Sequence, residues 1–391
     1  MKSFTGQLSM LMLLALVMSC QSNNLTKTQA ANVSQQGIYL DKSFQGYQHV
    51  TIESEAEIFA LTAEMKEMAR SITIERDARK KAKKLLANFF DPNNINLAYK
   101  AGANVVAAQA FRNREANCLS LTILAYAIAK EADLDVAFQR VDVPEYWVRN
   151  GDVNMLTGHI NLKVIEPKTA QTLLFFEPAS IEIDFDPFVV KRSFPKQRIS
   201  KNTVLAMFYN NKGANALING DATTAYAYFK AATQVAPTFS SAWGNLGILY
   251  RSRGYLAEAM KSYRYAININ PNNLTAMENL SLLLHKSGDF EAAKQLDAYI
   301  MRQRADNPYY YALLADEKYH HGDYQQAIRH FRKAIKLNQN IHEFYFGLAK
   351  VYYMLADHTK AEVYLKKALA KNRYAQQERQ YLAKLNLLKK I

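Results

Sequence analysis

The sequence predicts an α+β domain followed by an all-α array of stacked helix pairs. Three observations carry that reading. An apolar run from Leu119 to Ala129 is headed by a thiol, Cys118. The run is too apolar for a surface helix and too short to span a bilayer, so it reads as a buried helix of a globular domain. Residues from His159 to Ile165 alternate in character as a strand does. Beyond Ser200 the residues Tyr209, Trp243, Met277, Tyr311 and Tyr345 recur at an interval of 34, as do Ala225, Ala259, Ala293, Ala327 and Ala361. A fixed period of that length marks a repeat architecture.

The chain has 391 residues, 49% hydrophobic and 21% charged, which describes a globular protein with ample core. A formal net charge of +14 would suit nucleic acid, anionic lipid or an acidic partner. Nucleic acid is set aside because no nucleic-acid-binding module is recognisable. With 2 cysteines there is neither a disulfide-stapled scaffold nor a multi-cysteine zinc site, and with no nucleotide loop or haem motif no cofactor is expected.

In chain order, Met1-Lys2, the apolar run Leu8 to Met18 and the small Ser19 describe a secretory signal rather than a membrane helix. The string Val17-Met18-Ser19-Cys20 resembles a bacterial lipoprotein signal, although Val17 replaces the commoner Leu and Met18 is bulky. That resemblance implies a signal over residues 1–19, a lipid anchor in the membrane through acylated Cys20, and a flexible tether over 20–51. With Gln21 rather than Asp after the cysteine, it implies an outer-membrane lipoprotein of the bacterial cell envelope, facing the periplasm. An ordinary signal peptide with Cys20 by chance is the plainer alternative.

Ser54 to Ser71 reads as a helix capped by Ser54 with Glu57, and Arg76 to Phe90 as a second whose Arg79-Lys80-Lys81-Ala82-Lys83-Lys84 run is a solvated face. A helical stretch near Val105 to Phe111 leads through Arg112 to Ala116 into Cys118. Then Asp135 to Val143 reads as a strand, and Pro144-Glu145-Tyr146-Trp147 as a turn out of it. His159 to Ile165, a turn about Lys168, and Thr172 to Phe176 form a hairpin.

A thiol at a helix N-terminus meets unsatisfied N–H groups and the positive end of the dipole, which favour the nucleophilic thiolate. A strand-borne imidazole supplies a base. The strings Asn117-Cys118-Leu119-Ser120-Leu121-Thr122 and Gly158-His159-Ile160-Asn161 resemble bacterial transglutaminase-like domains, a papain-like class, over about residues 52–200. The resemblance implies Cys118 as nucleophile, His159 as proton shuttle and a carboxylate orienting the imidazole. Folding the hairpin about Lys168 puts Glu177 opposite His159, so Glu177 is favoured over Asp184, although the family commonly uses Asp. The bland alternative is a small buried cysteine and a solvated histidine.

Residues 201–374 form five copies, with Gly220, Gly254, Gly288 and Gly322 in phase and Ala356 as the lapse. The second copy, with Trp243, Gly247, Tyr250, Gly254, Ala259, Tyr263, Ala266 and Pro271, is nearest to the pattern of tetratricopeptide (TPR) repeats, which the array resembles. The resemblance implies a right-handed superhelical solenoid whose groove takes a protein or peptide partner, closed by a capping helix within 375–391. The third copy is the weakest, with Asp297 at an aromatic position; erosion is favoured over a partner docking there, and the adjacent His320 and His321 point apart and make a poor metal pair. Two functions follow: thiol-based amide hydrolysis or acyl transfer next to a protein-binding array, or a non-catalytic scaffold with a degenerate transglutaminase-like domain.

Overall fold

The computed structural model describes residues 37–90, 97–100, 102–150, 153–165, 181–185, 194–372 and 375–388. The N-terminal part holds helices α1 (Glu55–Ile58), α2 (Ala63–Thr73), α3 (Ala78–Phe90), α4 (Ala107–Asn113) and α5 (Cys118–Glu131). Its strands are β1 (Ala98–Tyr99), β2 (Glu115–Ala116), β3 (Val136–Asn150), β4 (Val153–Val164), β5 (Glu182–Ile183) and β6 (Lys196–Arg198). The larger sheet is antiparallel in the order β5-β4-β3-β6. Helix α5 is buried on nearly every side, as its apolar sequence requires.

The stretch expected as one helix from Ser54 is two. Ser54 makes the foreseen capping box with Glu57, but the helix stops at Ile58 and Thr62 caps a new one by accepting from the Met65 amide. The basic run on α3 is not wholly solvated. Lys81 is buried, and its Nζ donates at 2.9 Å to the carbonyls of both Ala132 and Asp133, closing the C-terminal end of α5. The segment Pro144 to Trp147 does not leave the sheet either. Strand β3 runs on to Asn150 with a bulge, because its pairing resumes at Tyr146↔Thr157 after Val141↔His159.

Ten helices in five antiparallel pairs follow: α6 (Lys201–Ile218), α7 (Ala222–Val235), α8 (Ser240–Ser252), α9 (Leu256–Ile269), α10 (Leu274–Ser287), α11 (Phe290–Arg304), α12 (Pro308–His320), α13 (Tyr324–Leu337), α14 (His342–Met354) and α15 (His358–Lys371). Helix α16 (Ala375–Leu388) closes the stack by burying Tyr381 and Leu385. The phased glycines sit between the helices of a pair with φ of +81°, +85°, +85° and +77°, and Ala356 takes the same left-handed turn at +56°. Inside a pair, a Cβ on Gly247 would stand 2.6 Å from the Tyr263 ring, so helix contact demands glycine there. In the third pair the aromatic is replaced by Asp297, which accepts from Ser281 and pairs with His285.

Residues 37–50, assigned to the tether from sequence, are packed on the solenoid. Ile38 and Phe44 are buried there, Phe44 stacks on Tyr226 at 4.4 Å, and Asp41 accepts from Lys230 and Tyr226. The apolar and aromatic residues Ile38, Tyr39, Phe44 and Tyr47 are what pull this strap out of solvent. The change of pattern at Ser200 is likewise no boundary of packing. Val204, Leu205 and Phe208 of α6 share one core with Leu121, Ile123 and Leu124 of α5. No described helix is long and apolar enough to cross a membrane.

Candidate functional site

Asn117 caps α5 by accepting from the Ser120 amide at 2.9 Å, which fixes Cys118 as the first residue of the helix. The Asn117 amide donates to the Ala103 carbonyl, and the Val105 amide donates to Ser120 Oγ, so the loop before the helix is pinned on both sides. The Cys118 thiol is half-buried and lies 3.9 Å from the carbonyl oxygen of Gly158, to which it donates. Gly158 is the residue that β3 skips at its bulge.

His159 is the next residue on β4 and is 1% exposed. Its Nε2 stands 2.9 Å from both carboxylate oxygens of Asp184. An ionised carboxylate only accepts, so Nε2 carries a proton and Nδ1 is the nitrogen available for proton exchange. Burial pulls the imidazole pKa down, but the hydrogen bond and charge of Asp184, joined by those of Cys118, outweigh it and hold it at about 10. His159 is therefore an imidazolium near neutral pH.

The carboxylate that meets His159 among the described residues is Asp184, the second choice from sequence. Glu177 lies outside the described residues, as do Lys168, the strand expected over 172–176, and Cys20. The physical reason is register. Strand β4 pairs with β5 through Leu162↔Ile183 and Lys163↔Glu182, which carries the next residue, Asp184, back toward His159. Sequence reasoning missed Asn161, fully buried, whose Nδ2 donates to Asp184 Oδ2 at 2.9 Å and holds the carboxylate in place. The period of two was the available signal, since Asn161 shares a strand face with His159. Among the described residues no group of three metal-ligating side chains is assembled, and His320 and His321 join no such group.

The thiol site also touches the repeats. Asn104 Nδ2 donates to the Phe208 carbonyl of α6, and Asn104 Oδ1 accepts from Asn117 and from Asn211. Asn245 of α8 continues the run by donating to Asn210 at 2.8 Å.

No curated protein matches the chain. Among solved structures, PilF of Pseudomonas aeruginosa is 17% identical over 48% of this chain and 91% of its own, with a TM-score of 0.30. A tetratricopeptide repeat protein from Parabacteroides merdae is 20% identical over 47% of this chain and 73% of its own, at 0.29. MamA from Desulfovibrio magneticus is 17% identical over 44% and 96%, at 0.26. Family models described as tetratricopeptide repeat match residues 211–273 and 250–317, and one described as TPR repeat matches 315–355. The helix pairs from residue 211 to 355 are therefore tetratricopeptide repeats, a kind of repeat that generally binds protein partners.

Proposed function

We propose that this chain is a transglutaminase-like thiol enzyme for amide hydrolysis or acyl transfer, carried on a tetratricopeptide array that binds a protein partner. The observation that supports it is a buried imidazole held at Nε2 by Asp184 and favoured in its protonated form by Asp184 and Cys118, with Asn161 steadying the carboxylate. In this reading the Cys118 thiolate attacks an amide carbonyl and forms a C–S bond. The Cys118 backbone N–H donates to the resulting oxyanion. His159 gives its proton to the departing amine as the C–N bond breaks, leaving a thioester. Water, deprotonated by His159, then releases the acid, or an amine forms a new amide; either way the thiol is restored. The same reading takes the chain as an envelope lipoprotein anchored through Cys20, on the strength of its N-terminal sequence.

Alkylation of Cys118 by iodoacetamide, followed by peptide mass mapping of the full chain at mildly acidic pH, tests the site. Replacing His159 with Gln or Asp184 with Ala should slow labelling by at least ~10-fold, because each removes support for the thiolate. A wild-type rate no faster than a free thiol, unaffected by His159→Gln, would leave the scaffold role of the repeats as the whole function.

A further inference from the structure

We propose that Arg304, at the end of the third repeat, is a positioning residue for the thiol site; the inference rests on the reading above. The β3–β4 hairpin leaves the α+β domain and lands on the repeats. Arg304 is 1% exposed there, and its Nε donates to Glu145 Oε2 at 2.7 Å while Nη2 lies 3.4 Å from Oε1. Its Nη1 donates to Glu278 at 3.0 Å. The guanidinium also faces two rings, Trp147 of the hairpin at 5.0 Å and Tyr310 of α12 at 5.4 Å. Asn307 Nδ2 adds a 2.8 Å bond to the Glu145 carbonyl.

The place of Glu145 gives this clasp its meaning. Between the pairs Val141↔His159 and Tyr146↔Thr157, residues 142–145 of β3 face Gly158 alone. Glu145 closes that bulge on one end, and the Asp142 amide, donating to the Pro195 carbonyl, holds the other. Gly158 and His159 are thus the residues whose backbone the bulge sets, and they are the two that meet Cys118 and Asp184. A bulge interrupts the ladder and bends its strand, so contacts at its ends set the local geometry that the missing pairs do not. Two carboxylates on a buried guanidinium fix one end with a geometry that a lysine cannot copy. The third and fourth repeats thereby set the position of the imidazole.

The test is the pH profile of Cys118 alkylation in the full chain, compared among wild type, Arg304→Met, Arg304→Lys, Glu145→Gln and His159→Gln. Wild type should label quickly from acid to neutral pH. Arg304→Met and Glu145→Gln should fall about tenfold to a hundredfold at the acid end and approach wild type as pH rises, the cost of a slightly misplaced partner. Arg304→Lys should restore part of the loss. Glu145→Gln keeps the side-chain volume, so it covers the case in which Arg304→Met fails to fold. Profiles of folded Arg304→Met and Glu145→Gln that match wild type, while His159→Gln does not, would overturn the positioning role and leave the thiol site standing. If wild type itself matches His159→Gln, both fall.

Discussion

The first two repeats and the last two are cut to the same 34-residue pattern, yet they stand in different surroundings. Helix α6 of the first repeat gives Val204, Leu205 and Phe208 to the core that surrounds α5, and the second repeat receives Ile38 and Phe44 of the strap beside Tyr250. The buried clusters of the fourth and fifth repeats draw on their own helices and α16, and the fourth repeat meets the α+β domain at its margin, where Tyr309 and Tyr310 face Tyr146 and Trp147 of the β3–β4 hairpin. In a solenoid each unit packs on its neighbours, and the end units need covers. At the front the cover is an entire α+β domain; at the back it is a single helix. The front repeats are therefore part of the thiol domain in packing terms, the fourth touches it through one hairpin, and the fifth is an ordinary solenoid unit.

The largest effect that could break this contrast comes from the shared core. Phe208→Ala should cost about 3–5 kcal/mol in urea unfolding and also lower the acid-side alkylation of Cys118. Leu365→Ala in the last repeat, at about 2–5 kcal/mol, should leave that alkylation unchanged. If both variants spare Cys118, the front repeats are as separate from the thiol domain as the back ones.

A second contrast is in pH. His159 is raised in the fold to about 10 from an ordinary 6.5, so between those values the folded chain keeps a proton that the unfolded chain has released. The stability it contributes is complete below pH 6.5 and is lost as pH rises through about 10. Amide exchange should show α5 and α6 losing protection over that window while α14 and α15 do not, and His159→Gln should remove the difference. Equal loss at both ends would place the titrating group elsewhere.

The smallest effect belongs to the back of the stack. Ala356 holds at +56° a turn that four glycines make elsewhere. Ala356→Gly should raise stability by ~0.5–1 kcal/mol, read as a higher urea midpoint, with no change at Cys118.

The solenoid was legible because a repeat announces itself: Gly247 and Tyr263 must touch, their counterparts must too, and the spacing betrays them. Cys118 at a helix start and His159 on a strand were legible for local reasons, the apolar run Leu119 to Ala129 and an alternation. Asp184 was ranked below Glu177 because the choice depends on the register of β5, which no local pattern encodes. The strap was hidden for the same reason. Its apolar residues are too few to look like an element until Tyr226 and Tyr250 are there to receive Phe44. Arg304 gives no signal in the sequence, since its carboxylate partner Glu145 is far off along the chain.

The strap has a mechanical consequence. Tyr250 donates to the Ile38 carbonyl at 2.9 Å, Tyr39 stacks on Trp243, and the Phe44 ring is wedged beside Tyr226. Tension on the chain ahead of Gly37 would be borne as shear along the first two repeats before any of it reached residue 52. The solenoid acts as the strain relief, and the thiol and its imidazole stay slack while the strap holds.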